Sequence, residues 1–348
     1  MSRVLKEDTI VKKEVSMKRR TAWLFALILV LCLTACKGKG TVTPGNLNQN
    51  SPTPYAPHIS TQTTDVSGEY AEKLSSYPWL DTYDMKYYSF SDDGTEYIPG
   101  LLEAAGIHNV IIARLYIGGC SLERHCREYE EGTKDYVYYK STDNKWVTVS
   151  KNATILDGLK DEPWDIITVQ EVSNNSGTYD TYKLWAPKLL SIIRKEATNP
   201  KASIVWHMTW AYASNSDHGA FKFYNKDQKT MYEAIVSCVD RARTDFNVPV
   251  VIPSGIAVQM ARKTRLNNEN RVPADSKVYQ LTRDGFHLSR QHGRYIAACV
   301  WFESLIKPTL GKSVKGNSYL LEDTEYSITK KDAKLCQKCA IKAVASYK

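Results

Sequence analysis

The chain has 348 residues, 43% of them hydrophobic and 11% aromatic, enough apolar material for a substantial core and too much for a disordered chain. Its formal charge of +8 is front-loaded: residues 1 to 35 carry seven Lys or Arg against three acids, leaving about +4 on the remaining residues. That excess, spread thinly and without a basic cluster interleaved with aromatics, argues against a nucleic-acid partner.

The first element from Met17 is a positive segment, Lys18-Arg19-Arg20, followed by the apolar run Ala22 to Leu33 and the tetrad Leu33-Thr34-Ala35-Cys36. Twelve apolar residues are too few to span a bilayer, so the pattern reads as an export signal and not as a lone transmembrane anchor. The tetrad resembles the lipobox of bacterial lipoproteins, which implies cleavage before Cys36 and lipidation of that cysteine. The expected location is therefore the cell envelope, with the membrane as a partner through Cys36. Met17 is a good alternative start to Met1. Residues 37–65 are rich in Gly, Thr, Asn, Pro, Ser and Gln and read as a flexible tether.

From near Tyr70 the chain alternates between helical and strand-like patterns. A helical stretch Thr95 to Ala105 precedes an apolar run Asn109 to Leu115. A run Trp164 to Val169, a helix Tyr182 to Glu196 and a run Ala202 to Met208 follow. A helix Lys226 to Thr244 leads into Val248 to Pro253, and Gln291 to Ile306 closes the core as an amphipathic helix. Short Val/Ile-rich runs separated by helices are what a parallel sheet covered on both faces requires. The expected fold is α/β, a three-layer sandwich with a central parallel sheet, over residues 66–310. The segment Asp135 to Val149 alternates aromatic or β-branched residues with polar ones and reads as an inserted hairpin. Residues 311–348 read as a helical tail packed on the domain. It contains Cys336 and Cys339, whose spacing lacks two further zinc ligands and reads as a local disulfide or two ordinary thiols.

In a doubly wound sheet, ligands bind outside the carboxyl ends of the strands, so the loops there should hold the chemistry. The last of them reads Arg283-Asp284-Gly285-Phe286-His287-Leu288-Ser289. An Asp three residues before a His lets the carboxylate hold the imidazole in one tautomer while the other ring nitrogen faces a nucleophile. Spacing alone fits a turn or a helix cap equally well.

Four segments in succession carry a resemblance: Tyr116-Ile117-Gly118-Gly119-Cys120-Ser121-Leu122, Trp164 to Glu171, Trp206 to Tyr212, and the DGFHLS loop followed by Gly293-Arg294-Tyr295. Their order is similar to that of the blocks of SGNH (GDSL-type) hydrolases, and together they resemble a bacterial branch of that superfamily over roughly Ser75 to Ile306. The resemblance implies a flavodoxin-like fold and a serine esterase without cofactor or metal. It implies Asp284 and His287 as partners of a nucleophile, with Gly119 and Gln170 as oxyanion donors and Asn174 or Asn175 as alternatives to Gln170. The first block of that branch reads GNSFS; here it reads Tyr87-Tyr88-Ser89-Phe90-Ser91, which places the nucleophile at Ser89, with Ser91 as the alternative. Two tyrosines stand where the branch has Gly-Asn.

Trp206, Trp210 and Tyr212 follow a strand expected to end near the site, and flat aromatic faces there suit sugar rings. Core packing is the ordinary role of such residues, as it is for His207, and Arg262 is a candidate for an anionic group. The expected substrate is a carbohydrate ester, deacylated or deacetylated outside the cytoplasm. The tyrosine pair motivates a second reading, a non-catalytic glycan-binding lipoprotein on the same fold. A metal-dependent hydrolase using His207, His218 and His287 is a third, with no compact ligand spacing behind it.

Overall fold

The computed structural model describes residues 85–89, 91–269, 280–321 and 327–347. Cys36 and the signal and tether expected around it lie outside the described residues. Strand β1 (Met85–Ser89) is followed by two short helices, α1 (Asp92–Thr95) and α2 (Ile98–Ala104), then β2 (Val110–Tyr116) and α3 (Leu122–Glu131). A hairpin, β3 (Tyr136–Ser141) and β4 (Trp146–Ala153), leads through α4 (Ile155–Asp161) to β5 (Ile166–Val169). Next come α5 (Tyr179–Glu196), β6 (Ser203–His207), a 3-10 turn Gly219–Tyr224, α6 (Gln228–Asp245), β7 (Val251–Ile252) and α7 (Ser254–Ala261). Finally α8 (His292–Trp301) runs through a π-helical turn, Phe302–Ile306, into α9 (Lys307–Leu310), and α10 (Lys330–Ser346) completes the described chain.

The strands form one sheet in the order β4-β3-β2-β1-β5-β6-β7. From β2 to β7 the pairings are parallel, and the hairpin adds two antiparallel strands outside β2. The expected insertion is thus built into the sheet as its edge. Counting the five parallel strands alone, the spatial order is 2-1-3-4-5, the flavodoxin-like order, whose strand order reverses between the first and third strands. Here that crevice falls between β1 and β5. The register levels the carboxyl ends: Ser89 pairs with Thr168, Val169 with Trp206, and His207 with Ile252. The residues that leave β1, β5, β6 and β7 therefore start from one edge.

The middle of the sheet is apolar because both of its sides are covered; all four residues of β5 are buried. Helix α8 is buried almost all round, as a helix with Tyr295, Ile296, Ala297, Ala298, Cys299 and Val300 in succession must be. It packs on α1, α2, α7 and α10, while α3, α4 and α5 pack on one another and α6 packs on both α5 and α7. The helix expected over Thr95 to Ala105 is broken, with α1 ending at Thr95 and α2 beginning at Ile98 with Pro99 in its first turn. Proline has no N–H to continue the upstream hydrogen-bond ladder, so it starts a helix in place of extending one. All six cysteines of the described residues are free thiols, so Cys336 and Cys339 are two buried thiols of α10 and form no local disulfide. Among the described residues no helix is long and apolar enough to cross a membrane.

Candidate active site

The loop between residues 281 and 289 closes on itself: Thr282 bridges Leu288, Arg283 N donates to His287 O, and Ser289 N donates to Leu281 O. Within it Asp284 divides its two oxygens. Oδ1 accepts the backbone N–H groups of Phe286 (3.2 Å) and His287 (2.7 Å), while Oδ2 lies 2.6 Å from His287 Nδ1. Such a turn requires Gly285 at φ +85°, where Ser216 Oγ would stand 2.9 Å from any added Cβ. Burial would raise the Asp284 carboxyl, but the hydrogen bonds from the His287 side chain and backbone outweigh it and hold the group below its ordinary value. With Nδ1–H committed to Asp284, Nε2 is the ring nitrogen left for a substrate or nucleophile. The His287 side chain is half exposed, at 50%.

A second contact ties this loop to the segment after β1. Asp93, in the first turn of α1, accepts Leu288 N at 3.0 Å and lies 3.2 Å from Arg283 Nη1. Arg294 Nε also donates to it, at 2.8 Å. The neighbouring acids Asp92 and Glu96 face Arg114 and Arg294, and Arg114 stacks over Trp146 at 4.3 Å. Three carboxylates and three guanidinium groups thus join α1, β2, the 283–288 loop and α8. The backbone of Ser89 ends β1 just ahead of this cluster, and its side chain lies outside the described residues.

At the ends of β5, β6 and β7 a third group forms. Ser91 Oγ donates to Gln170 Oε1 and lies 2.7 Å from His207 Nδ1; the same His207 nitrogen is 2.7 Å from Gln170 Oε1. On the far side of the ring, His207 Nε2 is 2.9 Å from Ser254 Oγ. Burial pushes the His207 imidazole down to about 3, so it is neutral at ordinary pH. Ser91 and His207 are each only 2% exposed, which seals this Ser–His contact away from any substrate. Gln170, by contrast, is half-buried. Gly119 lies exposed in the turn after β2 at φ +64°, with open space around it. Of the alternative donors, Asn174 gives its amide to Asn175 Oδ1 at 3.0 Å.

Two expectations are corrected. Trp206, Trp210 and Tyr212 are 1%, 9% and 0% exposed, so they have no open faces for a sugar and serve the core. Trp210 also donates Nε1–H to Phe286 O at 2.7 Å, bracing the Asp284 loop from below. The partly exposed rings beside His287 are Phe286, at 4.3 Å between centroids, and His218, at 4.7 Å from Phe286. Arg262 likewise does not await an anion: it is buried in an ion pair with Glu269 and donates to Ala211 O. Among the described residues no three His, Cys, Asp or Glu side chains gather around a point where a metal ion would sit, so His207, His218 and His287 share no centre.

Asp93 and Ser254 were not legible in the sequence as site residues. Acids in the first turn of a helix ordinarily balance its dipole, and Asp92-Asp93 has that form. The available signal was their place immediately after the Ser-Phe-Ser core. For Ser254 the signal was its position after an apolar run, at a strand end.

Against known proteins, residues 86–343 match the model of a family described as a domain of unknown function, DUF4886. The chain is similar to the crystal structure of a DUF4886 family protein from Bacteroides uniformis, at 35% identity and a TM-score of 0.63, covering 75% of this chain and 94% of that one. A protein provisionally classed as an SGNH hydrolase from Slackia heliotrinireducens matches at 18% identity and a TM-score of 0.42, over 64% of this chain and 98% of that one. One provisionally classed as a GDSL-like lipase from Parabacteroides merdae matches at 15% and 0.41, over 64% and 95%. A comparison with curated proteins gives no match.

Proposed function

The chain belongs to the DUF4886 family, and we propose that it is a serine ester hydrolase of SGNH type, built as a three-layer α/β sandwich. The observation that carries this reading is the Asp284–His287 pair. It is held at 2.6 Å, half open to solvent, and tied through Asp93 to the helix that starts just after Ser89.

In this reading Ser89 Oγ attacks the ester carbonyl carbon while His287 Nε2 takes its proton. Asp284 stabilises the imidazolium and keeps the ring in register. The carbonyl oxygen, now an anion, is received by the Gly119 backbone N–H and the Gln170 amide. Collapse breaks the ester C–O bond, the leaving alcohol takes the proton from His287, and the acyl group stays on Ser89. Water then attacks the acyl-enzyme with the same general base, releasing the acid and restoring the serine hydroxyl.

The proposed substrate is an acetyl or similar acyl ester of a carbohydrate, met outside the cytoplasm by a domain tethered through lipidated Cys36. Support for that setting comes from the sequence alone, where residues 17–36 resemble an export signal ending in a lipobox. Purified protein should hydrolyse p-nitrophenyl acetate, and His287→Ala should reduce turnover by about 10²- to 10⁴-fold, the usual contribution of a general base. Undiminished turnover in both Ser89→Ala and His287→Ala would refute the mechanism.

Tyr87 and Tyr88, at the end of β1 where the resembling branch has Gly-Asn, favour a second reading: a glycan-binding lipoprotein without turnover. Retention of the protein on an acetylated glycan, with no ester cleaved, would decide for it.

A further inference from the structure

Ser91, His207 and Ser254 form a chain of contacts running inward from Gln170, and the direction of its protons decides which end of the Gln170 amide faces the cleft. Oε1 and the amide nitrogen of a glutamine are chemically opposite: only the –NH2 end can stabilise an oxyanion. We infer that these three residues are positioning residues that anchor Gln170 by its oxygen and thereby turn its –NH2 toward the substrate. The inference rests on the esterase reading for its consequence, but not for the hydrogen bonds themselves.

The proton directions are mutually consistent. Ser91 Oγ donates to Gln170 Oε1. His207 Nδ1 stands 2.7 Å from the same oxygen, an acceptor only, so this ring nitrogen carries the hydrogen. A neutral imidazole has one N–H, so Nε2 is bare and accepts from the Ser254 hydroxyl at 2.9 Å. Ser254 is fully buried at the first position of α7, where the ring is the hydroxyl's partner. Burial of the ring keeps it neutral and prevents a doubly protonated form from blurring the order. Reversing the tautomer would set a bare Nδ1 against the lone pairs of the Gln170 oxygen and draw the Ser91 proton from that oxygen to Nδ1. Gln170 Oε1 would then lose both donors, and its amide would be free to turn its oxygen to the developing negative charge.

The groups packed on the ring are apolar or uncharged apart from these partners: Trp301 at 5.2 Å and Trp210 at 6.3 Å between centroids, with Gly94 leaving room at its Cε1 side. An added Cβ at Gly94 would approach His207 Cε1 to 3.0 Å. The ring is therefore held in one orientation by shape, and the Gln170 oxygen at Nδ1, with the Ser254 hydroxyl at Nε2, sets its tautomer.

Imidazole ¹⁵N NMR of the purified full chain, with His207 assigned through His207→Asn, reads the tautomer directly. The hydrogen is expected on Nδ1, with no change between about pH 8 and pH 5.5. Ser254→Ala leaves Nε2 without its donor while the Gln170 oxygen keeps the hydrogen on Nδ1, so the ring loses one of its two holds and kcat on p-nitrophenyl acetate should fall about ten- to a hundredfold with KM within about twofold. His207→Asn keeps an N–H donor near the Nδ1 position and should retain most of kcat, whereas His207→Leu should lose it. Nε2–H in the wild type, or undiminished kcat in both Ser254→Ala and His207→Leu, would overturn the inference. A wild type that cleaves no ester would remove the proposed function, and the NMR result would then decide the anchoring of Gln170 by itself.

Discussion

Asp93 accepts the backbone N–H of Leu288, the residue after His287, across 195 positions of sequence. Its carboxylate also meets Arg283, the residue before Asp284, so one side chain on α1 holds both ends of the Asp284–His287 turn. Asp93→Asn keeps an oxygen for Leu288 but loses the ionic hold on Arg283 and Arg294. Turnover is expected to fall about ten- to a hundredfold, the effect of a misplacement of about 1 Å at the reacting centre, with KM little changed. Steady-state kinetics beside a thermal melt separates this from unfolding: a variant that melts like the wild type and turns over like it would remove the positioning role.

The parallel core of the fold was legible because its strands are short continuous apolar runs between amphipathic helices, and Ile166–Val169 is buried throughout as such a run must be. The DxxH turn was legible for the same local reason, since Asp284 and His287 meet within four residues. What the sequence concealed was long-range. An acid at 93 looks like a helix N-terminal acid until Leu288 is brought to it, and Trp206 and Tyr212 look available until Tyr182 of α5 packs on the one and Phe221 of the 3-10 turn on the other. His207 read as a satisfied core histidine, and its burial fits that; the identity of its partners, Ser91, Gln170 and Ser254, depends on three strand ends finishing level.

The two candidate serines differ in a way that covalent labelling resolves. Ser91 is 2% exposed and engaged with Gln170 and His207, so a fluorophosphonate reagent should not reach it. Labelling followed by peptide mass spectrometry should find the adduct on Ser89. The label should be lost in Ser89→Ala and retained in Ser91→Ala, the latter with reduced turnover because Gln170 loses an anchor. An adduct on Ser91 would reassign the nucleophile.

Acid should destabilise the fold before its carboxylates titrate. Burial lowers His125 and His207 to about 3 each from the ordinary 6.5. Between those values the unfolded chain binds protons that the folded chain does not, so the stability is fully present above about pH 6.5 and drains away as pH falls toward 3. Each histidine contributes a slope of at most about 1.4 kcal/mol per pH unit. Urea midpoints should therefore drop between about pH 6.5 and pH 5, and His207→Asn or His125→Gln should each make that decline shallower. A flat profile over this interval in the wild type would contradict the burial of both rings as neutral species.

Gly255 offers a test of how closely α7 must approach β6. Its N–H donates to Met208 O at 3.1 Å, and a Cβ there would stand 2.0 Å from Thr209 O. That neighbour is backbone, which cannot swing aside, so Gly255→Ala must push the start of α7 away from the segment that follows His207. Overpacking of this kind costs about 1–3 kcal/mol and should appear as a lower urea midpoint at unchanged slope. Because Ser254 is the preceding residue, the same displacement lengthens its contact with His207 Nε2, and kcat should fall as it does in Ser254→Ala. Loss of stability with kcat intact would mean that the hydroxyl follows the ring when the helix moves, and that the Ser254–His207 contact is less dependent on the position of α7 than its burial implies.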